Sequence, residues 1–255
     1  MADYTDDQLV LLGDLKRQYG HDYDSLAKLP ADAGDGEFFL TNQMFGSVDA
    51  ELLYAMIRNV KPGRIVEVGS GFTTVLIDRA VNDMLAEQRQ TGKKPTCRFD
   101  SIDPMAPGIA YKSRIANLHA AGLQDEMDLI TKLRPGDMLV CDTSHVFVEG
   151  HEIDLILKAL PELKGVYVHF HDIFLPNGYP TQWEDRGYDE QTHLQAFLDG
   201  NPDWRILLAA NWLHKNHPDA LDGAIASYES SQPLGPGSFW IYADPPKRTS
   251  RRRVG

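Results

Sequence analysis

The chain has 255 residues, 42% of them hydrophobic and 24% charged, a composition typical of a globular protein large enough for one α/β domain. Its formal net charge of −12 at pH 7 disfavours nucleic acid as the main partner, because binding to phosphate needs a basic surface. No apolar run approaches the roughly 18 residues that span a bilayer, so we expect no membrane partner.

Two further features predict a cytoplasmic location. The acidic N-terminal residues 1–7 lack the basic and apolar regions of a secretory signal. Cys97 and Cys141 lie in runs that are predicted as strands, which favours reduced core cysteines over a disulfide or a metal pair.

The N-terminal part of the chain predicts a helix followed by a loop. Residues 6–18 have helical apolar spacing, whereas residues 20–46 are rich in Gly, Asp and Pro and predict a loop that wraps the domain. A second helix is predicted over 48–60, with Asp49 near its start. We therefore expect an N-terminal helix and wrapping loop over 1–46.

Strands and helices alternate along the rest of the chain, and this pattern predicts a parallel sheet covered on both faces. The predicted strands cover 64–68, 97–102, 115–119, 137–141, 164–170, 204–209 and 238–242. The predicted helices between them cover 73–88, 108–114, 126–132, 151–160 and 189–199. Residues 211–236 are predicted as a long loop. The predicted fold class is α/β, a doubly wound, seven-stranded, mostly parallel Rossmann-like sheet with the last strand antiparallel.

The most informative motif is the turn between the first predicted strand and the next helix. It contains an acid followed by small residues: Glu67, Gly69, Ser70 and Gly71. Such a turn exposes backbone N–H groups at a helix N-terminus, where a small polar ligand can bind. The carboxylate of Glu67 disfavours phosphate and favours a cationic amino-acid group. Thr74 stands where a dinucleotide fingerprint has its third glycine, so that fingerprint is incomplete. The structural alternative is a turn that uses glycines only for tightness.

Polar side chains lie at the carboxyl ends of four of the predicted strands, at the sheet edge where ligands bind in doubly wound folds. They are Glu67, Asp103, Asp142, His145, His169, His171 and Asp172. An acid that ends the second strand, here Asp103, is a usual partner of ribose hydroxyls, although the spacing from Gly69 exceeds the roughly 20 residues of the dinucleotide fingerprint. Capping of a turn beside Pro104 is the alternative for Asp103, and a buried core position is favoured for His169.

These residues resemble a known family. Glu67-x-Gly69-x-Gly71, Asp103 and the seven-strand pattern are similar to class I S-adenosylmethionine-dependent methyltransferases over about residues 45–243. Three segments resemble a bacterial branch of small-molecule methyltransferases: Asp142-x-Ser144-His145, Val168-His169-Phe170-His171-Asp172-Ile173-Phe174-x-Pro176 and Tyr179-Pro180-x-x-Trp183. The resemblance implies a methyltransferase domain over 47–245. The cluster of basic residues from Lys247 to Arg253 predicts a solvated, disordered tail over 246–255.

By this resemblance the cofactor is S-adenosyl-L-methionine. Glu67 would reach the methionine end of the cofactor and Asp103 its ribose, while Gln124 and Asp125, in the loop after strand three, would lie near the adenine. The residues predicted to bind the cofactor are Glu67, Gly69, Ser70, Gly71, Asp103, Gln124, Asp125 and Asp142.

The resemblance also implies the reaction. Catechol-type and some sugar O-methyltransferases place metal ligands at the ends of strands four and five, with a base three residues after the first acid. Asp142, His171 and Asp172 are thus candidate ligands of a divalent metal, and His145 is the candidate base. Histidine replaces the catechol-type lysine here, as in macrolide-sugar methyltransferases, and His171-Asp172 replaces an Asp-Asn pair. Imidazole suits manganese, iron or zinc better than magnesium.

The predicted activity is methyl transfer from S-adenosyl-L-methionine to a hydroxyl of a small-molecule acceptor, such as a sugar, a phenol or a natural-product scaffold, assisted by a divalent metal and a histidine base. Three alternatives stay open: a metal-independent methyltransferase that uses His145, an NAD(P)-dependent oxidoreductase, and a non-catalytic cofactor-binding protein. The aromatic segment 175–188 is either a lid over the acceptor or a surface loop. The oligomeric state is left open, with the N-terminal helices as candidate contacts of a homo-oligomer.

Overall fold

The strands form one seven-stranded sheet in the order β3-β2-β1-β4-β5-β7-β6. Our computed structural model describes residues 4–232 and 234–246. The strands are β1 (Arg64–Val68), β2 (Arg98–Ile102), β3 (Ala116–His119), β4 (Met138–Cys141), β5 (Tyr167–Phe170), β6 (Trp204–Ala209) and β7 (Phe239–Ala243). The helices are α1 (Thr5–Tyr23), α2 (Asp49–Val60), α3 (Phe72–Gln90), α4 (Leu123–Thr131), α5 (Glu152–Ala159), α6 (Glu190–Gly200), α7 (Ala210–Asn216) and α8 (Pro218–Ala224).

The strand directions confirm the predicted fold class. All neighbouring pairs from β3 to β5 are parallel, whereas β7 runs antiparallel to both β5 and β6. The strand order reverses between β1 and β4, which are adjacent in the sheet. In an open α/β sheet this reversal leaves a crevice at the carboxyl ends of the strands, where ligands bind.

Helices cover both faces of the sheet, and the residues of the central strands alternate between the two cores. In β1, Ile65 packs into a core with side chains of α1, α2, α3, α7 and α8, whereas Val66 and Val68 face a core with α4, α5 and α6. These side chains are buried, and full burial of each contributes about 1.5–3 kcal/mol to folding. Double coverage therefore explains why these strands are continuously apolar.

Two predicted elements are wrong. The helix expected over 108–114 is only a short 3-10 turn, Ala110–Lys112, because the Ser113 hydroxyl then accepts the backbone N–H of Ala116 and directs the chain into β3. The loop expected over 211–236 contains α7 and α8, which bury Leu213 and Leu221 against the core.

Other boundaries shift without changing the topology. The first helix continues to Tyr23, well past the predicted end at residue 18. The strand expected from residue 164 begins at Tyr167, because Gly165 turns the chain with a φ of +91°. Within the described ranges, none of the helices has the length and apolar character that crossing a bilayer requires. The predicted domain limits stay predictions, and residues 247–255 of the basic tail lie outside the described residues.

Candidate active site

The glycine turn between β1 and α3 lies directly against the end of β4. Gly69 has a φ of +87°, a conformation that favours glycine, and its N–H donates to the Ile102 carbonyl at 2.9 Å. A Cβ atom at position 69 would lie 1.8 Å from the carbonyl oxygen of Asp142. The backbone of the turn is therefore in contact with Asp142, the first of the polar residues that follow β4 and β5.

Glu67 is fully buried beneath this turn. Its Oε2 accepts hydrogen bonds from the hydroxyls of Thr74 at 2.7 Å and Ser101 at 2.5 Å. Its Oε1 has no partner in the described part of the chain. Burial raises the pKa of Glu67 to about 7, against the lowering effect of the hydroxyl donors. A buried carboxylate oxygen of this kind can accept a donor from a bound ligand.

Asp103 directly follows β2 and links the turn to this neighbouring strand. Its carboxylate accepts the backbone N–H of Ser70 at 2.9 Å and that of Met105 at 2.6 Å. The Ser70 and Ser101 hydroxyls are 2.7 Å apart, which continues the network to Glu67. The structure thus brings together the predicted residues at the ends of β1 and β2.

Gln124 and Asp125 are placed differently from the prediction. They lie in the first turn of α4, not in the loop after the third strand, because α4 begins at Leu123 and not at residue 126. Both side chains are exposed, and the one contact between them is 3.3 Å long. No hydrogen bond among the described residues joins them to Asp103, so their role near an adenine stays a prediction.

The second group gathers at the ends of β4 and β5. The His171 Nδ1 is 3.2 Å from the Asp142 Oδ1. The His145 Nε2 lies 3.6 Å from both the Asp142 Oδ1 and the Asp172 Oδ2. All four residues that were predicted for the chemistry therefore converge on one point of the sheet edge.

The backbone at two of these residues is in the left-handed region, which non-glycine residues rarely adopt. The φ angles are 60° at His145 and 55° at Asp172. Behind Asp172, Gly237 lies so close that a Cβ there would come 2.9 Å from the Asp172 backbone, and its carbonyl accepts the Ile173 N–H at 3.0 Å. The entrance to β7 therefore holds Asp172 in this conformation.

Two buried acids of the site carried no functional signal in the sequence. The Asp49 carboxylate accepts the backbone N–H groups of Gly237 and Ser238 at 2.9 and 2.8 Å, and it faces the His171 Nε2 at 3.4 Å. The Glu190 Oε2 lies 2.7 Å from the His145 Nδ1. Each stands at the start of a helix, where an acid is ordinarily explained by the helix dipole, so only the fold shows these contacts.

The charges of the cluster are largely paired with one another. Burial disfavours the charged form of every group, yet the Asp172 and Asp142 carboxylates raise the pKa of His171 well above its ordinary value. Burial likewise opposes the ionised form of Asp142, but His171 and then His145 lower its pKa. For Asp172, burial outweighs the histidines and raises the pKa.

This donor set does not fit a metal ion well. Both ring nitrogens of His171 face carboxylates, Asp142 on one side and Asp49 on the other, so this imidazole acts as a paired donor and not as a free ligand. Within residues 4–232 and 234–246, no group of three or more His, Cys, Asp or Glu side chains is arranged to hold a metal. The predicted ligands Asp142, His171 and Asp172 therefore remain a prediction that the side-chain geometry does not favour.

The aromatic segment after β5 lies beside the candidate base. It carries a cluster of four rings with several centroid separations of 5.4 to 5.9 Å, from Phe174, Tyr179, Trp183 and Tyr188. The Tyr188 ring lies 4.9 Å from the His145 ring, and the Arg186 guanidinium covers the Trp183 ring at 4.6 Å. The segment thus forms an aromatic wall at the site.

A separate cavity of about 540 Å³ lies between the N-terminal loop and α3. Its lining carries charged side chains of both signs, among them Arg79, which pairs with Asp83, and Lys112, which pairs with Asp35, each at 2.7 Å. None of the clustered residues at the strand ends lines this cavity, and we place no part of the chemistry in it.

No family profile and no curated protein matches the chain. Among solved structures, it is similar to the SAH-bound methyltransferase PaMTH1 of Podospora anserina, with 15% identity, a TM-score of 0.48 and coverage of 94% of this chain and 88% of that chain. It is also similar to the SAM-bound O-methyltransferase TomG of Streptomyces achromogenes, involved in tomaymycin synthesis, with 14% identity, a TM-score of 0.46 and coverage of 92% and 89%. A third is the SAH-bound O-methyltransferase of Bacillus cereus, with 10% identity, a TM-score of 0.48 and coverage of 79% and 83%. Identities of 10–15% do not identify the reaction of this chain.

Proposed function

We propose that the protein is an S-adenosyl-L-methionine-dependent methyltransferase that acts on a hydroxyl of a small molecule, with His145 as general base. One observation carries this proposal: the glycine turn and the polar cluster share a wall, because Gly69 lies against the carbonyl oxygen of Asp142. A ligand on the turn and an acceptor at the cluster would then be neighbours, and this proximity supplies much of the rate of a two-substrate reaction.

The chemistry of the turn supports this cofactor. The buried Glu67 has an oxygen without a partner in the described residues, which suits an ammonium group, and Asp103 at the end of β2 suits a pair of ribose hydroxyls. When bound, the cofactor supplies an electrophilic methyl group on a sulfonium. A dinucleotide is disfavoured, because Glu67 would repel a pyrophosphate and Thr74 replaces the third glycine.

His145 supports the transfer to a hydroxyl. Its Nε2 would take the hydroxyl proton, and the Asp142 and Asp172 carboxylates at 3.6 Å would stabilise the imidazolium that forms. Burial lowers the pKa of His145, but the neighbouring carboxylates, first among them Glu190, outweigh burial and raise it. We derive no step through a metal, because His171 is already paired on both ring nitrogens.

The first experiment is calorimetric titration of the protein with S-adenosyl-L-methionine. We expect micromolar-range binding, and its absence would reject the proposal. Hydroxylated sugars, phenols and related compounds are then screened for release of S-adenosyl-homocysteine.

A pair of histidine variants separates an enzyme from a non-catalytic binder. His145→Ala should bind the cofactor but lose turnover, whereas His21→Ala, whose side chain is exposed on α1, should behave as the wild type. Cofactor binding with no turnover on any acceptor, or turnover that survives His145→Ala, would favour the non-catalytic or metal-dependent alternatives. A cytoplasmic location, and contacts of a homo-oligomer, stay predictions.

A further inference from the structure

We propose that Glu190 is the residue that positions His145, by holding the ring Nδ1 as a donor and so leaving Nε2 free for the acceptor hydroxyl. This inference rests on the proposed function, because it concerns the same reaction. Glu190 would act through His145 and needs no contact with either substrate.

The contact is short and buried. The Glu190 Oε2 lies 2.7 Å from the His145 Nδ1, and the two residues are 2% and 6% exposed. The Thr143 hydroxyl also donates to this carboxylate oxygen, at 3.2 Å. Because both partners are shielded from water, the hydrogen bond between them is electrostatically stronger than it would be in solvent.

The backbone strengthens the same link. The carbonyl oxygen of His145 accepts the N–H groups of Asp189 at 3.0 Å and Glu190 at 3.2 Å. The start of α6 is therefore hydrogen-bonded both to the ring and to the main-chain carbonyl of His145. This double attachment also stabilises the left-handed backbone of His145.

The choice of ring nitrogen follows from the competition between carboxylates. An ionised carboxylate accepts hydrogen bonds and cannot donate them, so each one draws an N–H of the imidazole toward itself. The Glu190 carboxylate lies 2.7 Å from Nδ1, whereas the Asp142 and Asp172 carboxylates lie 3.6 Å from Nε2. The shorter contact places the proton on Nδ1. Without Glu190, the proton would move to Nε2, and the lone pair would point away from the acceptor.

The next residue of α6 joins the base to the aromatic segment. The Gln191 side chain accepts the Phe174 N–H at 2.9 Å and donates to the Asn177 carbonyl at 3.1 Å. Tyr188, at the other end of the segment, packs against the His145 ring. The first turn of α6 thus contacts both His145, through Glu190, and the aromatic segment, through Gln191.

The experiment reads the tautomer directly, in ¹⁵N-histidine-labelled full-length protein. Long-range ¹H–¹⁵N spectra of wild type, Glu190→Ala and Glu190→Gln are compared, and the His145 signals are assigned by their loss in His145→Ala. We expect the neutral ring to carry its proton on Nδ1 in the wild type and on Nε2 in Glu190→Ala. In Glu184→Gln, an exposed acid of the same segment, the spectrum should not change.

Kinetics supply the second readout. Glu190→Ala should lower kcat by about 100-fold or more, as loss of the orienting acid does in other carboxylate–histidine pairs, while the Kd for S-adenosyl-L-methionine stays within about twofold. Glu190→Gln keeps the shape of the side chain but removes the charge that holds the proton on Nδ1, so it should also lower kcat by about 100-fold or more.

An unchanged tautomer in a folded Glu190→Ala protein, or an unchanged kcat in Glu190→Gln, would overturn the inference. If Glu190→Ala does not fold, the kcat of Glu190→Gln decides. Failure of the wild type to bind S-adenosyl-L-methionine would instead reject the proposed function, and the tautomer spectra would still test the Glu190–His145 pair.

Discussion

The α-carbon of Gly69 lies against the carbonyl oxygen of Asp142, so closely that a methyl group at position 69 would come within 1.8 Å of that oxygen. This contact joins the turn after β1 to the end of β4, across the point where the strand order reverses. The proposed donor site and the proposed chemical site therefore lie in the same crevice.

We predict that Gly69→Ala destabilises the protein by more than about 2 kcal/mol, because the new Cβ meets backbone that cannot move away and the φ of +87° is strained for alanine. The free energy of unfolding from urea titration measures the effect. Gly71→Ala is the matched control: its Cβ would meet nothing within 4 Å, so the change should be below about 1 kcal/mol. Equal losses in both variants would contradict this account.

The affinity for S-adenosyl-L-methionine should depend on pH through Glu67. Its pKa of about 7 leaves the carboxyl largely neutral at lower pH, whereas an ammonium group is bound by the ionised form. We expect the Kd to rise about tenfold for each pH unit below about 7 and to level off above it. Calorimetric titrations between pH 5 and 7.5 measure this, and Glu67→Gln should bind weakly with little pH dependence.

The pH dependence of the stability of the unliganded protein tests the raised pKa of Glu67 independently of binding. Because Glu67 holds its proton more tightly when folded than when unfolded, its contribution to stability is full below about pH 4.5 and is lost as pH rises to about 7. The loss amounts to about 1.4 kcal/mol per pH unit, and Glu67→Gln should remove it. If both proteins show the same pH profile of unfolding, the raised pKa is wrong.

Asp103→Asn should weaken binding of S-adenosyl-L-methionine by about tenfold or more, because a charged acceptor of ribose hydroxyls becomes a neutral amide. Equilibrium titration measures the Kd. Asp125→Asn, an exposed acid in the first turn of α4, is the comparison and should change the Kd by less. A larger change of Kd in Asp125→Asn than in Asp103→Asn would indicate that the ribose binds at the start of α4 and not at the end of β2.

Removal of divalent metal should leave turnover unchanged. His171 is paired by carboxylates on both ring nitrogens, and the described residues form no metal-holding group. Turnover is measured before and after dialysis against EDTA, together with the metal content of the protein. Loss of activity with EDTA, restored by manganese, magnesium, iron or zinc, would reinstate metal assistance through Asp142, His171 and Asp172.

Tyr188→Ala should raise the KM for the acceptor by about tenfold and leave the Kd for S-adenosyl-L-methionine within about twofold, because the ring lies against His145 and away from the glycine turn. Gln182→Ala, an exposed position in the same segment, should have no effect. If neither variant changes the acceptor KM, the segment is a surface loop and not part of the acceptor site.

Local sequence signals were sufficient to locate candidate residues at the ends of the strands. The turn at Glu67 to Gly71 was visible because a strand, glycines and a helix follow one another directly in the chain, and Asp103 because it directly follows a predicted strand. The short helices α7 and α8 were missed, since each spans only two turns and their apolar side chains show no sustained period.

The contacts that Asp49 and Glu190 add to the site join residues far apart in the chain, so no spacing in the sequence predicts them. Glu190 reaches His145 across 45 positions, and Asp49 reaches Ser238 across 189. Alternating apolar strands and helices specify a doubly wound sheet, because periodicity and burial act locally along the chain. Which acid faces which ring nitrogen is set by how α2, α6 and β7 pack at the sheet edge, and hydrogen bonds between buried groups form only once that packing has removed water.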